Sequence, residues 1–171
     1  IGDINSELLE AYAVIRSHPR LVARLASSWK DSKREYLRLR NCQPDSLSSI
    51  ERAARFVYLN RYCFNGVYRT NRLGMFNVPR GVRTGEFPTE KMMYRCSIAL
   101  RDAEFRAGDF ENCIADVRPN DFVYLDPPYA STGRPRFGEY GYGCVNDSDV
   151  SRLVDALKRI DSRGATFLLS Y

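Results

Sequence analysis

Residues 123–129 read Val-Tyr-Leu-Asp-Pro-Pro-Tyr, and this stretch decides the fold class of the chain. The apolar run from Asp121 to Leu125 is typical of a buried strand in an α/β sheet. Two prolines follow and fix the backbone φ angle, so the strand ends there. A long loop rich in glycine and proline continues to Asn146. Because ligands of open α/β sheets bind beyond the carboxyl ends of the strands, we expect a site at Asp126.

The side chains at this strand end predict a particular kind of ligand. Asp126 supplies a carboxylate, and the Pro127 carbonyl has no local donor because prolines lack an N–H group. Two neighbouring acceptors suit an exocyclic amino group, and the ring of Tyr129 can stack on the ring that carries this amine. The alternative is a proline-rich turn with a buried tyrosine. The apolar strand before the motif and the long loop after it favour the ligand site.

The rest of the chain predicts an α/β body that is interrupted by a helical segment. Strand-like residues at 1–3 and 165–169 and an amphipathic helix at 148–160 lie towards the two ends. We expect a further helix to start at Pro44-Asp45-Ser46, after a polar, charged segment over 30–43. The turn signal Asn65-Gly66 precedes short strand-like pieces that suggest a β-hairpin. This order is typical of a recognition module inserted into an α/β core.

The excess of positive charge is concentrated in that inserted segment. The sequence has 26 Lys and Arg against 21 Asp and Glu, a net charge of +5. No acidic residue occurs from Asn60 to Gly85, whereas five arginines do: Arg61, Arg69, Arg72, Arg80 and Arg83. A basic segment on an otherwise balanced chain predicts a face that binds a polyanion. A solvated arginine-rich loop remains the alternative.

Composition excludes several classes of site. The single histidine, His18, argues against Ser-His-Asp, Cys-His and multi-histidine metal chemistry, so we expect no metal. Five cysteines without a C-x-x-C pair are typical of a reduced, intracellular protein. No apolar run reaches the roughly 18 residues of a membrane helix, so we expect no membrane partner.

The sequence resembles the Dam-type DNA adenine N6-methyltransferases, whose D-P-P-Y motif corresponds to residues 126–129. Further matching stretches follow the family order: Gly2–Asn5, Tyr58–Arg61, Phe64–Gly66, Arg69–Asn71 and Gly74–Pro79. The resemblance implies an α/β, Rossmann-like methyltransferase core, incomplete here, with an inserted, mainly helical target-recognition domain that carries a β-hairpin. The core then comprises residues 1–25 and 96–171, and the recognition domain residues 26–95.

The resemblance also implies an activity. The enzyme transfers a methyl group from S-adenosylmethionine to the N6 amino group of a flipped adenine in double-stranded DNA, at a GATC-like site, and releases S-adenosylhomocysteine. A role in restriction-modification or in DNA replication or repair, and a place in the cytoplasm, at a bacterial nucleoid or in a phage-infected cell, would follow. No metal and no obligate protein partner are expected.

Two alternatives stay open at this stage. One is an RNA adenine N6-methyltransferase, since the D-P-P-Y motif alone does not distinguish the polymers. The other is a catalytically inert DNA-binding fragment. The family carries an F-x-G-x-G loop before the residue that corresponds to Asp3, and this sequence does not contain it, so we expect the chain to be a fragment of a longer enzyme.

Residue by residue, the resemblance assigns three groups of functional side chains. Asp126, Pro127, Pro128 and Tyr129 correspond to the catalytic set. Asp3 corresponds to the residue that binds the ribose of the cofactor, Asp109 and Phe110 to the position that contacts its adenine, and Asp126 also adjoins the cofactor. The residues assigned to DNA binding are Arg61, Phe64, Asn65, Val67, Arg69, Asn71 and Pro79, with Arg69 as the reader of a guanine.

Overall fold

The chain forms a mixed α/β structure with small parallel sheets, which confirms the predicted class in its coarse form. The computed structural model describes residues 1–71, 73–82, 86–127 and 147–170. Its helices and strands are, in chain order, β1 (Gly2–Asp3), α1 (Ser6–Ser17), α2 (Pro19–Ser28), α3 (Lys33–Arg40), α4 (Ser49–Tyr62), α5 (Glu90–Ala99), β2 (Arg106–Ala107), α6 (Phe110–Cys113), β3 (Phe122–Leu125), α7 (Asp147–Ser162) and β4 (Thr166–Leu169). None of the helices in these ranges is both long and apolar enough to cross a membrane.

Four helices share one core. α1, α2, α4 and α5 pack around a cluster in which small side chains allow close approach of the helix axes. The buried members of this cluster are Ala11, Ile15, Val22, Ala23, Ala26, Ala53, Ala54 and Met93. α1 begins where the Asn5 side chain accepts a hydrogen bond from Leu8 N, and α2 begins at Pro19, where a missing N–H group costs nothing.

A second, largely aromatic cluster joins α3 and α4 to the segment 64–82. Its buried members are Tyr36, Leu39, Tyr58, Leu59, Tyr62, Cys63, Phe76 and Val78. The Tyr36 hydroxyl donates to Val78 O at 3.0 Å, which ties α3 to that segment. Trp29 and Phe87 pack against both clusters, so the helical part of the molecule has a continuous interior.

One helix was not predicted and the start of another needs correction. The polar, charged segment 30–43 contains α3, which Ser32 caps by accepting from Glu35 N at 3.1 Å. The helix expected to start at Pro44 starts instead at Ser49. Residues Pro44–Ser46 form a separate 3₁₀ turn, and Ser48 and Glu51 form a reciprocal capping box that fixes the start of α4.

The strands form two separate two-stranded parallel sheets. β1 pairs with β2, and β3 pairs with β4 in the register Phe122↔Thr166 to Leu125↔Leu169. Leu125 packs with buried residues of α7, whereas Phe122 and Tyr124 are 65% and 58% exposed. Alternate side chains of a strand point to opposite faces, so only one face of β3 is buried in this chain. The strand predicted over 121–125 is therefore present, but among the described residues it is buried on one face only.

Candidate functional site

Two predicted cofactor residues meet at one sheet edge. β1 and β2 run parallel, and Gly108 N donates to Asp3 O at 3.0 Å just beyond their ends. Asp3, the last residue of β1, and Asp109, two residues after β2, therefore lie at the ends of adjacent strands at the same edge. The Asp3 carboxylate accepts from Asn5 N at 2.7 Å, so the side chain is held against the start of α1.

Asp109 is an ionised acceptor in a defined orientation. Its Oδ1 atom caps α6 by accepting from Glu111 N at 3.0 Å, and it also accepts from a terminal nitrogen of Arg152 at 2.7 Å. The hydrogen bond from Arg152 holds the pKa of the Asp109 carboxyl below its ordinary value, although burial opposes this. Both of these hydrogen bonds end on Oδ1. The geometry therefore presents Oδ2 as the oxygen that can receive an N–H or O–H donor of a ligand.

Arg152 is a residue of this site that sequence reasoning did not identify. It lies on α7, where its guanidinium also binds Glu111 at 2.7 Å and stands 5.0 Å from the centroid of the Phe110 ring. One cation thus fixes both residues predicted to contact the cofactor's adenine. Its only sequence signal is that of an arginine on the polar face of a helix, and Asp109 is 43 residues away.

The predicted catalytic residues follow the other sheet. Asp126 is exposed directly after β3, and Pro127 is half-buried. Ser170 N donates to Leu125 O at 2.9 Å, so the pairing between β3 and β4 extends to the residue directly before Asp126. Pro128 and Tyr129 lie outside the described residues. Within the described ranges no strand pairing joins this sheet to the one that carries Asp3 and Asp109.

The segment 64–82 begins with a tight reversal of the chain. Asn65 and Gly66 have φ angles of 53° and 67°, a left-handed conformation that asparagine and glycine tolerate best. Phe64 N donates to Pro79 O at 2.9 Å, which brings the two ends of the segment together. The reversal leaves Phe64 53% exposed, and Asn65, Val67 and Pro79 are exposed as well. Five of the seven predicted DNA-binding residues, these four and Asn71, are therefore exposed to solvent.

Arg69 lies on a paired stretch of the same segment. Thr70 and Phe76 form an antiparallel bridge, Asn77 N donates to Arg69 O at 3.1 Å, and Arg69 Nε donates to Asn77 Oδ1 at 3.2 Å. The Asn71 side-chain oxygen accepts from the backbone N–H groups of Leu73 and Met75 at 2.9 and 3.0 Å. That oxygen therefore shapes the turn, and the amide nitrogen is the part of Asn71 that remains for a ligand.

The remaining arginines of the basic segment differ in environment. Arg61, in the last turn of α4, has a buried Nε atom without a hydrogen-bond partner. Arg80 pairs with Asp31 and lies 5.8 Å from the centroid of the Tyr62 ring, so its charge is already neutralised locally. Arg72 and Arg83 lie outside the described residues. Among the residues that are described, no group of three or more His, Cys, Asp and Glu side chains has the arrangement of a metal site.

Comparisons with known proteins identify the family of the chain. The model of the D12 class of N6 adenine-specific DNA methyltransferases matches residues 1–171. The chain is 34% identical to the type II methyltransferase M1.LlaDCHI of Lactococcus lactis subsp. cremoris, with 99% of this chain and 63% of that protein aligned. It is likewise 34% identical to the type II methyltransferase M.MjaIII of Methanocaldococcus jannaschii, over 99% of this chain and 64% of the relative.

A third relative carries a more specific name. The chain is 30% identical to the DNA adenine methylase of Vibrio cholerae serotype O1, over 99% of this chain and 64% of the relative. The chain thus spans a little under two thirds of the length of each of these three relatives. With a family model that covers every residue, the chain belongs to the D12 class of N6 adenine-specific DNA methyltransferases.

Proposed function

We propose that the protein transfers a methyl group from S-adenosylmethionine to the N6 amino group of adenine in double-stranded DNA. The observation that carries this proposal is the pair of carboxylates, Asp3 and Asp109, at the ends of two adjacent parallel strands in a chain of this family. When a ligand binds at such an edge, its N–H and O–H groups meet carboxylates that are already oriented to accept hydrogen bonds. The name of the Vibrio cholerae relative supports DNA adenine as the substrate.

The residues at this edge fit the cofactor. A carboxylate at the end of a strand suits the two hydroxyls of a ribose, which is the role proposed for Asp3. The ionised Asp109 offers an acceptor to the amino group of an adenine, and the neighbouring Phe110 offers a ring beside it. S-adenosylmethionine, when bound, supplies a methyl group on a sulfonium sulfur, which is a good leaving group, and becomes S-adenosylhomocysteine. No metal is needed for this chemistry.

Asp126, Pro127 and Tyr129 are proposed to act on the target base. The target nitrogen lies inside a base pair, so the adenine must be flipped out of the helix. The Asp126 carboxylate and the Pro127 carbonyl accept its two amino hydrogens, which draws the nitrogen lone pair out of conjugation with the ring. The amine loses a proton as the new N–C bond forms, and the exposed Asp126 can pass that proton to water. Pro128 fixes the loop, and Tyr129 holds the ring by stacking.

The segment 64–82 is proposed to be a recognition hairpin within a target-recognition domain of residues 26–95, with the core in residues 1–25 and 96–171. Arg69 then reads a guanine, Arg61 contacts phosphate, and Phe64 enters the base stack where the adenine leaves it. Asn65, Val67, Asn71 and Pro79 complete the contact surface. A GATC-like target and a place in the cytoplasm belong to the same proposal.

The test is to map N6-methyladenine in the genome of a host that lacks adenine methylation and expresses the complete gene product. We expect methylation at a single short sequence.

Asp126→Ala should lower the single-turnover rate by more than tenfold, a barrier increase above about 1.4 kcal/mol, while DNA affinity changes little. Asp155→Ala, an exposed carboxylate of α7, is the matched control and should leave the rate unchanged. Methylation found only in RNA, or an Asp126→Ala variant with the wild-type rate, would contradict the proposal.

A further inference from the structure

Glu7 connects α1 to two parts of the molecule that are distant from it in sequence, α4 and the segment 64–82. Its Oε1 atom accepts from a terminal nitrogen of Arg55 in α4 at 2.8 Å, and its Oε2 atom accepts from the Tyr68 hydroxyl at 2.7 Å. Tyr68 is 61 residues further along the chain, in the segment 64–82. Both carboxylate oxygens are therefore used to connect α1 to other parts of the molecule.

The arginine partner of Glu7 is rigidly held. The Arg55 side chain is 1% exposed, and its Nε atom donates to Leu39 O at 2.8 Å. A second guanidinium nitrogen donates to Arg40 O at 3.3 Å, at the end of α3. Carbonyls at a helix C-terminus favour a cation, so the buried charge is stabilised on one side by α3 and on the other by Glu7. Glu7 therefore sits at a fixed point between α1 and α4.

The tyrosine partner of Glu7 is equally well oriented. The Tyr68 ring lies between Phe56 of α4 and Phe76 of the segment 64–82, with centroid distances of 5.6 and 5.5 Å. Ring packing alone permits sliding, whereas the hydroxyl bond to a carboxylate is directional. Since Arg69 follows Tyr68 directly, this bond sets where the backbone of Arg69 lies relative to α1.

The same turn of α1 is attached to the strand-end edge. Asn5, whose backbone N–H binds the Asp3 carboxylate, also caps α1 with its side chain, and Glu7 follows two residues later. The first turn of α1 is thus the common point from which both Asp3 and Tyr68 are placed. A shift of Tyr68 relative to Glu7 changes the position of Arg69 relative to the Asp3 edge.

We infer that Glu7 is a positioning residue for sequence discrimination, which holds the Arg69 segment in register with the catalytic core through Arg55 and Tyr68. The inference rests on the proposed function, because it needs Arg69 to read a base. In some proteins a buried, hydrogen-bonded charge specifies one arrangement of its neighbours, and the two directional bonds of Glu7 assign it that role here. Glu7 itself contacts neither the DNA nor the cofactor in this scheme.

The test compares Tyr68→Phe with the wild type in the complete gene product. The variant keeps the ring beside Phe56 and Phe76 and removes the hydroxyl that donates to Glu7. We expect the ratio of kcat/KM on the target duplex to that on duplexes with one substituted base pair to fall about tenfold, the loss typical of a hydrogen bond to a charged group. Affinity for S-adenosylmethionine should not change, because Asp3 keeps its bond to Asn5.

Tyr58→Phe is the matched control. Its ring is buried, whereas that of Tyr68 is half-buried, and its hydroxyl donates to Lys30 O at 2.7 Å rather than to α1 or the segment 64–82. This control should lose similar thermal stability and keep wild-type discrimination.

Glu7→Gln is the second variant. The side-chain amide of this variant places an N–H₂ group against either the Arg55 guanidinium or the Tyr68 hydroxyl, both of which are donors. Discrimination should therefore fall at least as far as in Tyr68→Phe.

The outcomes separate this inference from the proposed function. A folded Tyr68→Phe variant with wild-type discrimination overturns the role of Glu7, and so does an equal loss of discrimination in Tyr58→Phe. In both cases the wild type still methylates adenine and the proposed function stands. A wild type that methylates no adenine in DNA overturns both.

Discussion

At the residue scale, Arg69 and Arg61 differ in how their guanidinium groups are held. Arg69 uses Nε to bind Asn77 and so keeps its two terminal nitrogens together as a pair of donors. That geometry matches the O6 and N7 acceptors of guanine. Arg61 has no such side-chain partner on its Nε atom, and it projects from the last turn of α4. A base-reading role fits the first and a phosphate contact fits the second.

The two arginines should therefore respond differently to replacement by alanine. For Arg69→Ala we expect a loss of about 1–3 kcal/mol confined to one base pair, so that discrimination relaxes at that position. For Arg61→Ala we expect weaker binding to all sequences and a salt slope smaller by about one unit. The measurement is methylation of duplexes with single substitutions at two salt concentrations. A uniform loss with a reduced salt slope for Arg69→Ala would reverse the assignment.

At the scale of elements, α3 shows how a short helix survives on few apolar residues. Only Tyr36 and Leu39 are buried among its eight residues, which otherwise carry five charges. The helix is held by its Ser32 cap, by the Tyr36 hydroxyl bond to Val78 O and by the carbonyls at its end that accept from Arg55. Isolated helices of this length are unstable in water, so these contacts are required.

The cap of α3 should make a measurable contribution. Ser32→Ala removes the oxygen that accepts from Glu35 N, and we expect the free energy of opening of α3 to fall by about 1 kcal/mol. Amide hydrogen exchange of residues 33–40 measures this change. Ser27→Ala, on the exposed side of α2, should have no destabilising effect, because alanine is the better helix former. Equal effects of the two substitutions would show that the Ser32 cap is dispensable.

These elements also show what sequence patterns can and cannot predict. The strand before Asp126 was predicted from a local signal, namely an apolar run followed by two prolines. α3 was missed because its two buried residues are hidden among charges and its support comes from residues about 40 positions away. Arg152 and Glu7 were missed for the same reason. Their partners are identified only when distant elements meet.

At the scale of the whole molecule, the proposed core and recognition domain are not independent bodies. The proposed boundaries at 25/26 and 95/96 fall inside α2 (Pro19–Ser28) and α5 (Glu90–Ala99), and both helices contribute to the cluster shared with α1 and α4. A continuous apolar interior makes local opening cooperative across the elements that share it. The two parts are joined by packed helices rather than by linkers.

This shared interior predicts a cooperative response to a single cavity. Val22→Ala, at a fully buried position of α2, should lower the opening free energy of α1, α2, α4 and α5 together by about 2 kcal/mol. Leu21→Ala, at the exposed neighbouring position, should change it by less than about 0.5 kcal/mol. Hydrogen exchange resolved by peptide is the measurement. A loss confined to α2 would show that the helices open independently.

The close approach of β1 to α6 has a consequence for chemical labelling of the protein. A Cβ atom built on Gly2 would lie 2.5 Å from the Cys113 sulfur, so this contact has no room for even a methyl group. The same sulfur lies 3.8 Å from Gly108 O, beside the turn that presents Asp109. Cys113 is half-buried, and the contact with β1 leaves a thiol reagent less room on that side of its sulfur. Separation of β1 from α6 should therefore speed alkylation at Cys113. S-adenosylmethionine should slow it, while Cys42, two residues after α3, reacts at an unchanged rate.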